Sequence, residues 1–435
     1  MMRSMFSGVS GLRAHQTRMD VIGNNVANVN TVGFKSGRVT FQEVFNQTLR
    51  GAGAPDAALG RGGTNPMQIG LGTGVGAIDT MMTRGSSQRT DNPTDLSIEG
   101  EGFFIVKGSN ADTYKFTRAG NFGLDKLGNL VSGSGMNVYG WMKYDKLPDG
   151  TVKYDTESDI APINLYNDEF NGNKRVIAPQ ATTNAVFSGN LNSAYKEEDT
   201  FSVPFTAYDS LGNAHELSIT YKKGANAGEW TYSVSEKQVD DDGNITYEPT
   251  NITDASIIFD SKGKLDTSTP QTFDDIEIDF TDIGAEVLTI KTDFTNVTMF
   301  SADSSVKPTN IDGYTTGNLV TFNIGSDGIL TGIYSNGQQQ PLGMVALASF
   351  SNPGGLQKIG DNLFIPTTNS GDFTKALQAG SEGVGSMSPG TLEMSNVDLS
   401  REFTDMIITQ RGFQANSRII TTSDEMLQEL VNLKR

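Results

Sequence analysis

The chain has 435 residues, enough for two or three domains, with no cysteine and a formal net charge of −18. Without cysteine there are no disulfides, thiolate metal sites or cysteine nucleophiles, so stability has to come from packing. No basic footprint points to nucleic acid, and no run approaches the ~20 apolar residues that a membrane span needs, so neither nucleic acid nor membrane insertion is expected.

The opening residues, Met1 to Gly8, carry a positive charge but no apolar stretch and no small-residue cleavage site. If the protein leaves the cytoplasm, the expected route reads an uncleaved N-terminus. A helix is expected over residues 1–30, where Met5, Leu12, Met19 and Val26 recur every seven residues and Val9, Ile22 and Val29 fill the same face. Its Gly8, Gly11 and Gly23 each cost about 1 kcal/mol relative to alanine, so the helix should need a partner. Residues 51–93 show neither the helical nor the strand period, and 31–94 reads as an extended connector. Within it, Gly70 to Gly76 resembles a phosphate cradle only superficially, because no Lys-Ser/Thr follows and no helix pattern opens after it.

From about Asp95 to Pro366 the period is two, as in Leu217, Ile219 and Tyr221 alternating with Ser218 and Thr220. Asp125-Lys126-Leu127-Gly128-Asn129, Asp209-Ser210-Leu211-Gly212-Asn213, Asp242-Gly243-Asn244, Ser326-Asp327-Gly328 and Ser335-Asn336-Gly337 supply hairpin turns between strand-like runs. Antiparallel β structure is expected throughout. Residues 141–300 hold 28 Asp and Glu against 12 Lys and Arg, leaving 23 and 21 for the rest of the chain. Like charges are best tolerated where water and salt screen them, so this middle segment should face solvent and the near-neutral flanks should pack.

A second, stronger heptad stripe ends the chain: Leu399, Met406, Phe413, Ile420 and Leu427, flanked by Phe403, Ile407, Leu430 and Val431. Asp398 is the expected N-cap, and a helix from there to Leu433 would run roughly 50 Å. Polar Gln410, Ser417 and Asp424 interrupt the stripe. Residues 1–50 carry six basic and two acidic groups and residues 391–435 five basic and seven acidic, so docking the two ends together is favourable. Periodicity alone fits a pair of core helices equally well. A β middle bracketed by terminal helices gives a fold that is mainly β with α-helical termini, elongated and multidomain, suited to a tube or filament subunit.

The chemistry of an enzyme is hard to find. The two histidines, His15 and His215, have no neighbours at metal-ligand spacing, and Asp240 to Asn244 lacks the alternating ligands and closing Glu of a calcium loop. There is no Gly-x-Ser-x-Gly elbow and no visible carboxylate pair. No catalytic residue, cofactor or metal site is expected.

The segment from Gly23 to Lys35, with Asn24, Asn25, Ala27, Asn28, Thr31, Gly33, Phe34 and Lys35, resembles the N-terminal signature of the flagellar rod and hook protein family. Asn-rich sequence offers the backbone local hydrogen bonds as the helix ends, and Gly33 allows a sharp exit. Leu96 to Phe104, Thr117 to Phe122 with Leu130, and the end from Ser395 to Leu433 are similar to the same family. Rod members are shorter because they lack a large outer insertion; here residues of about 176–304 fill that place, and Val203 to Leu217 resembles the outer domain of hook members. The return through Asp312-Gly313-Tyr314, Gly317 to Val320 and Pro341 to Val345 is similar to hook members too.

The resemblance implies an N-terminal helix (1–30), a connector (31–94), an inner β domain in two parts (95–175 and 305–375), an outer β domain (176–304), a return connector (376–396) and a C-terminal helix (397–435). It implies a structural subunit of a curved hollow tube that joins rod to filament, transmits torque as a universal joint and forms part of the export channel, its terminal helices lining the interior as coiled coils. The implied partners are further copies of the chain in a helical homopolymer, the distal rod protein, the hook cap protein, the hook-filament junction protein and the flagellar type III export apparatus. Phe41 and Phe45, in Phe41-Gln42-Glu43-Val44-Phe45, resemble the short aromatic export motif of early substrates, although an amphipathic core segment fits as well. Spirochaete hooks are cross-linked through a cysteine; this chain has none, so noncovalent contacts are expected. The alternatives are a distal rod protein of the same family and a secreted β-rich surface adhesin.

Overall fold

A computed structural model describes residues 2–433 except 56–59, 61, 109–112, 147–150, 169–171, 227, 240–244 and 267–272. The expected hairpin turn at Asp242-Gly243-Asn244 lies outside the described residues. The chain is mainly β, with one long helix near each end. Helix α1 spans Met2–Ala27 and helix α2 spans Leu399–Asn432. Asp398 caps α2, its Oδ1 accepting from Ser400 N at 2.9 Å and Arg401 N at 3.3 Å. No described helix is long and apolar enough to cross a membrane.

The chain folds as two compact units, one comprising Met1–Gly172, Phe322–Thr331 and Pro341–Arg435, the other Asn173–Thr321 and Gly332–Gln340. The first unit contains both helices. Its sheet is built around Phe103–Lys107, Lys115–Thr117, Asn137–Trp141 and Gln339–Ala348. Residues from Leu342 to Ala348 are almost continuously apolar because every one is buried, so no alternation survives there. Phe103, Ile105, Phe116, Trp141, Met344 and Phe364 form the core. Gly140 has no room for a side chain: a methyl group there would collide with the Met344 carbonyl oxygen.

The second unit stacks two sheets over one core. One has the order Ile276–Ile278, Leu288–Phe300, Asn184–Asn192, Lys307–Ile311, and the other runs from Thr200–Tyr208 through Ala214–Lys223 to Glu229–Val239 and its neighbours. Leu217, Ile219 and Tyr221 point inward with Phe187, Phe205, Trp230 and Phe294, and Phe187 stacks on Phe294 at 5.4 Å. One pairing departs from the antiparallel expectation. Asn184–Asn192 runs parallel to Leu288–Phe300, which is possible because the long stretch of chain between them forms the other sheet and serves as the crossover.

The two connectors also differ from expectation. Residues 31–94 include β1 (Gly37–Glu43), β2 (Asn46–Arg50), β3 (Met67–Gly70) and β4 (Thr73–Thr80). β1 pairs antiparallel with β4 and β2 with β3, making a ribbon. Residues 376–396 supply strands Ala376–Gln378, Ser386–Pro389 and Thr391–Glu393 to the first unit. Both segments are rich in glycine or short in length, so their strands have no periodic signature. The second unit extends past residue 304 because Lys307–Ile311 completes one of its sheets. Likewise α1 stops at Ala27 instead of 30, in a series of turns through the Asn-rich segment.

Two of the expected turns, and a third at Asp260 to Lys264, share one device. Asp125, Asp209 and Asp260 each accept backbone N–H bonds from residues two and four positions ahead through Oδ1. A glycine at the third position after the aspartate then takes a positive φ: 89° at Gly128, 88° at Gly212 and 72° at Gly263.

Candidate assembly site

The two helices run antiparallel, and their contacts follow a regular ladder. Asn25 Nδ2 donates to Glu402 Oε1 at 3.3 Å, Arg18 pairs with Asp405 at 3.0 Å, His15 lies against Gly412, Gly11 against Asn416 and Gly8 against Ile420. With buried Ile22 between Asn25 and Arg18, the α1 steps alternate between three and four residues, which is the geometry of one helix face. A methyl group at Gly11 would stand 2.8 Å from Asn416 Nδ2, and one at Gly412 would stand 2.7 Å from the His15 ring. Small residues thus let the backbones approach. Gly23, by contrast, has nothing nearby.

This seam overlaps the apolar heptad stripes at Ile22 and Ile420 but does not follow them. Of the N-terminal stripe, Ile22 is buried, Met5, Leu12, Met19, Val26 and Val29 are half-buried, and Val9 is exposed. Of the C-terminal stripe, Met406, Ile420 and Leu427 are half-buried while Leu399, Phe403, Ile407, Phe413, Leu430 and Val431 are exposed. The buried positions of α2 are Thr409 and Ser423. Within one chain the helices therefore meet largely through small and polar residues together with Ile22 and Ile420, and a large apolar face is left outside: Phe6 is 67%, Phe403 50% and Ile407 58% exposed. Apolar surface on this scale marks an interaction site on a soluble protein.

The Asn-rich signature forms the joint below the helices. Asn25, almost fully buried, donates from Nδ2 to the Gly37 carbonyl at 2.8 Å and accepts at Oδ1 from Gly37 N at 2.9 Å, tying α1 to β1. Asn28 Nδ2 donates to the Asn24 carbonyl at 2.9 Å, and Thr31 Oγ1 donates to Asn28 Oδ1 at 3.1 Å, satisfying polar groups as the helix unwinds. Ala27 is the last helical residue. Gly33 follows with φ 69° and its N–H donates to the Glu393 carbonyl at 2.7 Å; a methyl group there would lie 2.6 Å from Ala119 N. Phe34 is buried beneath the Lys358 ammonium, 4.9 Å from its ring centre.

Lys35 ends the signature in a buried charge cluster. Its Nζ donates to Glu393 Oε1 at 2.5 Å and to the Thr83 carbonyl at 2.9 Å. Arg118 Nη1 donates to Glu393 Oε2 at 3.2 Å and Nη2 to the Gly100 carbonyl at 2.8 Å. Gly85 N also donates to Glu393 Oε1, at 3.1 Å. One carboxylate thus gathers the start, the β body and the return of the chain. Burial pushes the Lys35 ammonium below its ordinary range, and Glu393 opposes that shift. Asn396 closes the joint from the other side, accepting from Ser36 N at 2.8 Å and donating to the Met81 carbonyl at 2.8 Å.

Glu393 is the functional residue that sequence reading did not single out. It sits outside every periodic segment, and the only hint was the neighbouring family segment beginning at Ser395. Phe41 lies on β1 with its ring edge-on to His15 at 5.5 Å, whereas Phe45 is exposed between β1 and β2. Among the described residues no group of three or more His, Asp or Glu side chains could hold a metal ion.

Four family descriptions match along the chain: flagella basal body rod protein (residues 5–35), flagellar hook protein FlgE/F/G D1 domain (97–171), flagellar basal body protein FlaE D2 domain (171–314) and flagellar basal body rod FlgEFG protein C-terminal (388–433). The chain belongs to this family of flagellar axial structural proteins, and within it to the hook proteins. It is 41% identical to the flagellar hook protein FlgE of Borreliella burgdorferi and 39% identical to that of Treponema pallidum, over the whole of both chains in each case. A flagellar basal-body rod protein FlgG from Bacillus subtilis is 31% identical, again over the whole of both chains. The crystal structure of the Helicobacter pylori flagellar hook protein FlgE2 shares the fold, with TM-score 0.50 and 16% identity over 71% of this chain and 100% of that one.

Proposed function

We propose that this protein is a structural subunit of the flagellar hook that polymerises through the exposed apolar faces of α1 and α2. The observation that carries this reading is the mismatch between seam and stripe. The contact between the two helices of one chain uses Gly8, Gly11, His15, Gly412 and Asn416, which leaves Phe6, Phe403, Ile407 and Val431 for other copies. Burial of apolar side chains is worth roughly 1.5–3 kcal/mol each when complete, so several per copy supply a strong drive to assemble.

The tube so formed joins rod to filament, passes torque and encloses part of the export channel, with the acidic second unit facing solvent. The distal rod protein, the hook cap protein and the hook-filament junction protein are its partners at the two ends. The type III export apparatus delivers it, with Phe41 and Phe45 as the export motif. The Asn24 to Lys35 signature acts as the joint that fixes the helix pair on its β body. The higher identity to hook proteins, 41% and 39% against 31% for the rod protein, supports this over the rod reading, and the helices have no place in an adhesin.

Deleting residues 1–30 or 397–435 tests the proposal. The expected result is a folded, monomeric β core that sediments as a single species under conditions where the full chain forms tubes. Tubes formed by either truncated protein would show that assembly contacts lie elsewhere.

A further inference from the structure

His15 lies on the seam face of α1 and touches two further elements. Its Cε1 and Nε2 occupy the space where a side chain on Gly412 of α2 would stand. Its ring meets Phe41 of β1 edge-on, and Arg18, one turn further along α1, covers the same Phe41 ring at 5.8 Å. Nδ1 is buried and has no hydrogen-bond partner among the described residues.

The charged groups around this position come from every neighbouring element. Arg18 belongs to α1 itself. On α2, Asp405 holds Arg18 at 3.0 Å and Arg411 adjoins Gly412. On β1, Arg38 and Glu43 flank Phe41, and Arg38 is paired with Asp79 of β4 at 3.3 Å. Among the described residues no carboxylate forms an ion pair with the imidazole. A neutral ring leaves one nitrogen unsatisfied; an imidazolium would need acceptors for two N–H groups and would add a positive charge next to Arg18.

We propose that His15 is a proton-sensitive latch on the α1–α2 pair: neutral, it seats between Gly412 and Phe41; protonated, it leaves the seam and loosens the two helices. Because the ring fills the space over Gly412, its departure leaves a gap between the two helices there. Burial first, and Arg18 second, hold its proton affinity below the ordinary range. A histidine of that kind binds a proton more readily in the undocked chain. The seam is therefore at full strength above the ordinary pKa of about 6.5 and weakens as pH falls below it. Glu402, at the Asn25 end of the same seam, shifts the opposite way, since burial pushes its carboxyl up; acid favours its docked form. Glu402 therefore does not account for a loss of the seam in acid.

The test uses the full-length chain and its two histidines. The Cε1–H resonance of His15 is followed from pH 8 to 5, and amide hydrogen exchange of α1 and α2, corrected for the intrinsic rate, is compared at pH 7.5 and 5.0. The expected result is a His15 midpoint below 6.5 and a loss of helix protection at pH 5.0 relative to pH 7.5. In His15→Phe that pH dependence should vanish. A His15 midpoint at 6.5 or above, helices unprotected already at pH 7.5, or the same acid loss in His15→Phe would overturn the proposal. If His15→Phe does not fold, the midpoint in the unaltered chain decides alone.

Discussion

Lys35 and Glu393 are separated by 358 positions in sequence and by 2.5 Å in space, each side chain about 1% exposed. The last residue of the Asn-rich signature is thus held by a carboxylate just before α2, so both ends of the chain close on one buried ion pair. Breaking a buried pair by removing one partner typically costs roughly 3–5 kcal/mol. Glu393 serves Lys35, Arg118 and Gly85 together, whereas Lys35 can be removed with Arg118 still in place. Glu393→Gln should therefore destabilise the first unit more than Lys35→Met, in urea unfolding followed through Trp141. Equal or reversed effects would show that Glu393 is not the hub.

Gly33→Ala should lower stability by about 2 kcal/mol or more, because a left-handed backbone costs roughly 1–2 kcal/mol for a residue with a Cβ and that Cβ would meet the backbone at Ala119. Gly23→Ala, in open space within α1, should be neutral or slightly stabilising. Thermal unfolding of the pair distinguishes a tight joint from a glycine tolerated by accident.

Phe403→Ser with Ile407→Ser should abolish tube formation while leaving the monomer within about 0.5 kcal/mol of the parent chain, as expected for exposed positions. Gly412→Leu should do the reverse, disrupting the helix pair inside the chain before any assembly. Sedimentation and helical circular dichroism separate the two outcomes.

The second unit should lose stability in acid through Asp209. Burial raises its pKa, but hydrogen bonds from Asn213, His215 and Leu211 outweigh burial and hold the carboxyl below the usual range. A depressed folded pKa contributes stability that is present in full above the ordinary value of about 3.9 and is lost as pH falls through the folded one. Asp209→Ala should remove that acid-sensitive part and destabilise the unit at neutral pH, read through Trp230 in its core. An unchanged acid limb would assign it to other carboxylates.

The sequence showed the two helices and the β middle because their periods are long or repeated. Leu399 to Leu427 holds seven-residue spacing over four intervals, and the Asp-x-x-Gly-Asn turns recur with the same side-chain geometry. The ribbon of β1 to β4 was not legible, since Gly70, Gly72, Gly74 and Gly76 blur alternation and most of its residues face outward. The helix seam misled for a different reason. Gly8 and Gly11 read as weaknesses in an isolated helix, but beside Asn416 and Ile420 they are what lets α2 approach. Apolar spacing located a helix face correctly without saying which neighbour would cover it. Glu393 was invisible because its three partners lie far away along the chain.

The most direct test of the hook reading is electron microscopy of basal bodies from a strain lacking this chain. Rods without hooks or filaments are the predicted result, restored by the intact gene and not by the Phe403→Ser, Ile407→Ser variant. Intact hooks in the deleted strain would contradict it.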